Sequence, residues 1–167
     1  MIWGIIVCIM LWSMNYAVLG LTAELLLACV LASALLVLSV VDWKTHVIPT
    51  KINGVIACLG VANLFLHREQ WQVHILGLFC GGGLFLLVYY LTRKRGIGGG
   101  DVKLMAAAGL YLGWELLLVA SFLGCLYACI LHLLRMRICK VGPVFALGPY
   151  LAAGIMTALW FGEALVA

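Results

Sequence analysis

The sequence predicts an all-α, polytopic membrane bundle of about seven helical segments, and three observations predict it. Of the 167 residues, 66% are apolar and only 10% charged, with a mean hydropathy of +1.21, a composition suited to lipid rather than water. The apolar residues collect in runs close to the roughly 20 residues that a spanning helix needs. Lys and Arg fall almost entirely between alternate runs.

Taken in order, the long runs are residues 2 to 20, 23 to 41, 50 to 66, 73 to 92, 115 to 134 and 145 to 165. The first lacks a basic stretch ahead of it and a convincing small-x-small site before Thr22, so it reads as a retained helix rather than a cleaved signal. Pro49 opens the third, where its missing N–H costs nothing. In the fourth, Gly77, Gly81, Gly82 and Gly83 have spacings that let membrane helices approach closely, as do Gly109 and Gly113 further on. Between the fourth and fifth runs lies a shorter apolar stretch, Val102 to Leu112. At about 1.5 Å per residue it is too short to cross a bilayer core alone. It reads as a short helix surrounded by protein, still carrying the chain across. No long polar linker separates the segments, so a single membrane-embedded domain over residues 1–167 is expected.

Charge sets the orientation, because Lys and Arg accumulate in cytoplasmic loops. With the N-terminus inside, Lys44, Lys51, Arg93, Lys94, Arg95, Lys103, Arg135, Arg137 and Lys140 fall on the cytoplasmic side and Arg68 opposite. Glu24, Glu69, Glu115 and Glu163 then point outward, while Asp42 and Asp101 share the cytoplasmic edge. The net charge of +4 is thereby explained without nucleic acid, for which no motif is present. Six of the seven cysteines lie inside apolar runs, where they serve as small hydrophobes, and no CxxC pair or metal-site spacing occurs. Asp42 and His46 stand four apart, but Pro49 argues against the helix that a shared metal would need. No metal and no cofactor is expected.

Asp42 and Asp101 are the only aspartates, and each sits where an apolar run meets Lys, Arg, Gly or Pro. A carboxylate at the centre of a hydrocarbon slab costs on the order of 2.5 to 3.5 kcal/mol, less near its edge, so such residues point to function. In VVDWKTHVIPTKING, Asp42 closes a helix, where the macrodipole disfavours negative charge; an ion pair with Lys44 or Lys51 is the structural alternative. In RKRGIGGGDVKLMAAAGLYLG, glycines lead into Asp101 at or near a helix N-cap, where the dipole favours the anion. An ordinary capping Asp behind a glycine turn is the alternative there. Gly98, Gly99 and Gly100, with Lys103, form a candidate loop for positioning an extended substrate, since glycine permits close backbone approach. GxxxxGK[ST] is not matched, which argues against a phosphate cradle.

Two carboxylates in contrasting settings suit hydrolysis of a peptide bond, one taking a proton from water and the other donating to the scissile carbonyl. The helix termini assign Asp101 as base and Asp42 as acid. No serine has a partnered base or a GxSxG elbow. A transporter or channel relaying protons or cations is the rival reading, but it expects carboxylates near the midplane and repeated discontinuous helices.

Three stretches resemble the prepilin peptidases, membrane aspartyl proteases of the Gly-x-Gly-Asp type. Asp42 to Pro49 is similar to the family's first catalytic block, GIGGGDVKLMAAAGLYLG to its second, and VFALGPYLAAG, residues 144 to 154, to its Gly-Pro-containing last span. The resemblance implies catalysis by Asp42 and Asp101 and removal of a short leader from type IV pilin-like precursors, just before their hydrophobic helix. It also implies a multi-pass protein of the cytoplasmic membrane, with precursors and lipids as partners and the site near the cytoplasmic face. Longer members carry an N-terminal region with paired CxxC motifs, linked to N-methylation. With none of these motifs in the chain, a short form without methyltransferase activity is expected. Thr50 also departs from the Asp or Asn that relatives often have after the proline.

Overall fold

A computed structural model describes residues 2–93, 96–139 and 146–166, and those residues form seven α-helices. They are α1 (Ile2–Leu19), α2 (Ala23–Thr45), α3 (Thr50–Leu66), α4 (Trp71–Leu91), α5 (Gly99–Leu112), α6 (Trp114–Cys139) and α7 (Gly148–Val166), with a 3-10 turn at Arg68–Gln70. Lys94, Arg95, Lys140, Val144 and Phe145, each used in the sequence argument, lie outside the described residues. Three helical stretches are long and apolar enough to cross a membrane: Ala23–Thr45, Arg68–Leu91 and Trp114–Ile138. The protein is an all-α membrane helix bundle, as the hydropathy predicts.

Several boundaries move. α2 continues past Asp42 to Thr45, and His46 ends it in the left-handed conformation (φ 53°), its N–H donating to the Asp42 carbonyl. Asp42 therefore lies in the last turn of α2 rather than closing it. Pro49 is the cap of α3 and Thr50 its first helical residue. With the chain reversing at His46, the Asp42 and His46 side chains do not share a helical face. Among the described residues no group of three or more His, Cys, Asp or Glu is arranged to hold a metal ion.

The short α5 is the centre of the bundle. Leu104, Met105, Ala107, Ala108, Leu110, Tyr111 and Leu112 are all buried, with α3, α4 and α6 packed around them. Its 14 residues span about 21 Å, less than a bilayer core of about 30 Å; the stretch from Leu104 to Leu112 is enclosed by neighbouring helices, while Gly99 at its start is exposed. Hydrocarbon and side chains are similarly apolar, so the helices gain from dispersion at close approach rather than from leaving water. The α4–α5 seam illustrates this. A Cβ on Gly77 would collide with the Gly109 carbonyl and one on Gly81 with that of Met105, so both positions must be glycine for the backbones to touch. Gly113, at φ 83°, then turns the chain in one residue from α5 into α6, its N–H donating to the Gly109 carbonyl at 2.9 Å.

The end of the bundle away from Asp42 and Asp101 is closed by polar contacts. His67 approaches Glu24 at 3.0 Å, linking the end of α3 to the start of α2. Asn63 donates to the Tyr111 carbonyl at 2.9 Å, and His74 Nδ1 lies 3.1 Å from the Leu110 carbonyl. These bonds satisfy backbone carbonyls in the last turn of α5, which would otherwise be buried without partners.

Candidate active site

Asp42 is 4% exposed, and its Oδ2 accepts the N–H of Gly148 at 2.9 Å. Gly148 is the first residue of α7, so the carboxylate on α2 meets a helix N-terminus whose free N–H groups favour an acceptor. The approach depends on glycine, because a Cβ at position 148 would lie 2.6 Å from that oxygen. Gly148→Ala is expected to displace the Asp42 carboxylate and, if that carboxylate takes part in catalysis, to lower precursor cleavage by about a hundredfold, as a misplacement of about 1 Å does. The check is precursor cleavage at equal membrane protein levels; undiminished turnover would show that this contact does not position Asp42.

Asp101 is the third residue of α5 and is 7% exposed. Its Oδ2 accepts the Gly98 N–H at 3.0 Å, the carboxylate half of a capping box; Gly98 has no side chain with which to complete the other half. Asp101 is thus not the cap itself but two residues inside the helix. Its second oxygen, Oδ1, is buried and makes no hydrogen bond among the described residues.

The glycine stretch differs from the positioning loop expected of it. Gly98 precedes the helix, but Gly99 and Gly100 form its first turn, and Lys103 is an exposed residue within it. Two bonds explain the early start: the Gly98 carbonyl accepts the N–H of Asp101 at 3.1 Å and that of Val102 at 3.4 Å. Gly100 does serve close approach, but the neighbour is the protein's own Ile48, whose Cβ would stand 2.8 Å from a Cβ at 100. Gly99 has open space where its side chain would be. Of the glycines, it is the one that leaves room beside the helix start.

The linker after α2 thus rests on the start of α5, bringing the ends that carry the two aspartates together, and the Asp42 carboxylate acts electrostatically on Asp101. Two further residues join the site without having been singled out in the sequence. One is Gly148, which appeared only as part of the Gly-Pro stretch. The other is Asn53 on α3, 4% exposed, whose amide donates to the Gly100 carbonyl at 3.1 Å while its Oδ1 is buried without a partner among the described residues. An amide one turn after Pro49, at the start of a mostly apolar helix, was the available signal. α7 also qualifies the role assignment from helix dipoles. That argument counted only the helix carrying Asp42, yet Asp42 receives an N-terminal N–H from α7 just as Asp101 does from Gly98.

Fold and site together define a membrane helix bundle with a pair of buried aspartates fixed at one end by backbone N–H groups. The model of the type IV leader peptidase family matches residues 29–133, which include both aspartates, and the chain belongs to that family. It is similar to curated prepilin leader peptidase/N-methyltransferases. One, from Escherichia coli (strain K12), is 36% identical over 135 residues, covering 75% of this chain and 59% of the relative. Others are from Bacillus subtilis (strain 168), 33% identical with 88% and 60% covered, and from Pseudomonas putida, 34% identical with 86% and 53% covered. The chain thus spans little more than half the length of these relatives. No solved structure matches.

Proposed function

We propose that the protein is an aspartyl endopeptidase that removes the leader from type IV pilin-like precursors at the cytoplasmic face of the cell membrane. The observation that supports this best is that two buried aspartates on adjoining ends of α2 and α5 are each held by a backbone N–H, in a member of the leader peptidase family. In the proposed reaction, Asp101 takes a proton from water through Oδ1 as the hydroxide attacks the scissile carbonyl carbon. Asp42 donates a proton to the carbonyl oxygen, giving a tetrahedral gem-diol. Collapse of that intermediate breaks the C–N bond as Asp101 passes its proton to the departing nitrogen and Asp42 takes one back from a gem-diol hydroxyl, leaving a carboxylic acid on the leader and both aspartates in their starting states. Gly98, Gly99 and Gly100 with Lys103 are proposed to border the extended leader, Gly99 offering the open side. Precursors and surrounding lipids are the proposed partners.

The reading is tested by co-expressing the protein with pilin-like precursors and determining the new N-terminus by mass spectrometry. A cut between the leader and the apolar helix is expected; precursors left intact across the panel would overturn the proposal. Infrared spectroscopy tests the acid and base roles, with a protonated carboxyl band expected to vanish in Asp42→Asn and persist in Asp101→Asn. The reverse pattern would exchange the two roles.

Orientation is part of the same proposal, with the N-terminus and both aspartates on the cytoplasmic side. In a cysteine-free background, single cysteines at Lys44 and Arg137 are expected to react with an impermeant thiol reagent only from the cytoplasmic side. Those at Glu69 and Glu115 should react only from outside. All four side chains are exposed. Labelling of Lys44 and Glu69 from one side would reject the arrangement.

A further inference from the structure

We infer that the furrow between α2 and α7 is the seat of the substrate's apolar helix, an inference that rests on the peptidase reading. Leu36 and Ser39 of α2 face Pro149, Ala153 and Trp160 of α7 across a cavity of about 260 Å³, whose far end Leu11 of α1 borders. It continues, through the shared Ser39 and Pro149, into a second cavity of about 310 Å³ that reaches Trp43. On α7 the lining positions Pro149, Ala153, Met156 and Trp160 recur every three to four residues, a stripe along one face of about three turns, or about 17 Å. That covers more than half of a bilayer core of about 30 Å.

The furrow ends beside Asp42, which is itself buried behind the lining. Asp42 lies between Ser39 and Trp43 on α2, and its hydrogen-bond donor Gly148 is the immediate neighbour of Pro149. A helix lying in the furrow would therefore deliver the chain at its cytoplasmic end directly to Asp42, which is where a leader joined to an apolar helix must be cut. The lining suits a helix. Small residues let a backbone come close. The hydroxyls make no demand on an apolar occupant, because Ser39 donates to the Leu35 carbonyl at 2.7 Å and Thr157 to that of Ala153 at 2.8 Å. At the mouth, the Arg135 guanidinium lies 4.3 Å from the centre of the Trp43 ring, fixing the aromatic wall by a cation–π contact.

The test uses full-length protein carrying Asp101→Asn, so that bound precursor is not consumed, with a photoreactive benzophenone side chain at position 153 or, as a control, at 87. Ala153 opens onto the furrow, whereas Leu87 is exposed on α4, away from it. After irradiation with a pilin-like precursor present, adducts to the precursor's apolar helix are expected from 153 and at least tenfold fewer from 87. Equal adducts from both positions would overturn the assignment, as would adducts at 153 only to lipid or to a second copy of the protein. Wild-type cleavage of the same precursor separates the two readings. If cleavage occurs and 153 does not label, the furrow is wrong and the peptidase stands; if no precursor is cleaved, both fall.

Discussion

Asp42→Asn and Asp101→Asn should each reduce leader cleavage by about a thousandfold or more, because in the proposed mechanism each removes a proton-transfer group that the other cannot replace. The double variant should be no worse than either single one, since groups that act as a unit are not additive. Asn keeps the shape and an acceptor oxygen, so the bonds from Gly148 and Gly98 can persist and the bundle should stay assembled. Cleavage of a reconstituted precursor by mass spectrometry, beside thermal unfolding in detergent, separates lost chemistry from lost fold. Rapid cleavage by either single variant would remove the two-aspartate mechanism.

The largest effect on stability is expected at the α4–α5 seam. Gly81→Leu would force a side chain into the Met105 carbonyl and the Leu117 side chain, and neither the backbone of α5 nor the buried Leu117 can withdraw cheaply. Overpacking of this kind costs about 3 kcal/mol or more when the obstacle is backbone. Two positions along the same helix, Gly83 has nothing within 4 Å of a Cβ, and Gly83→Leu should change stability by less than about 0.5 kcal/mol. Unfolding midpoints of the two variants decide the matter. Similar values would mean that the helices can separate without loss.

The contrast between those two glycines shows what was legible in the sequence. Their spacing marked α4 as a helix for close packing, but four candidates were available and only contact identifies those that touch α5. Hydropathy placed all seven segments because the demand for apolar length is local to each helix. It also exposed α5 as too short to stand in lipid. The ends were harder to read. Glycine ordinarily disfavours helix, which hid the start of α5 at Gly99; the Asp101 carboxylate bonding back to Gly98 outweighs that tendency.

The aspartates were legible for a different reason. Aspartate is costly in such surroundings, so two of them stand out without any knowledge of their neighbours. Their neighbours were not legible, since Asn53 meets Gly100 from 47 positions away and Gly148 meets Asp42 from 106. Ile48 filling the space beside Gly100 was equally hidden. A glycine announces that something approaches, not what it is.

The bond from Gly148 to Asp42 has a consequence for how the protein is made. One partner is on the second helix and the other begins the last, so a growing chain has both aspartates long before it has the clip that orients the first. Synthesis order then acts as a safety catch. Under the proposed peptidase reading, a half-built chain standing in the membrane beside other newly inserted helices lacks an aligned site until α7 docks.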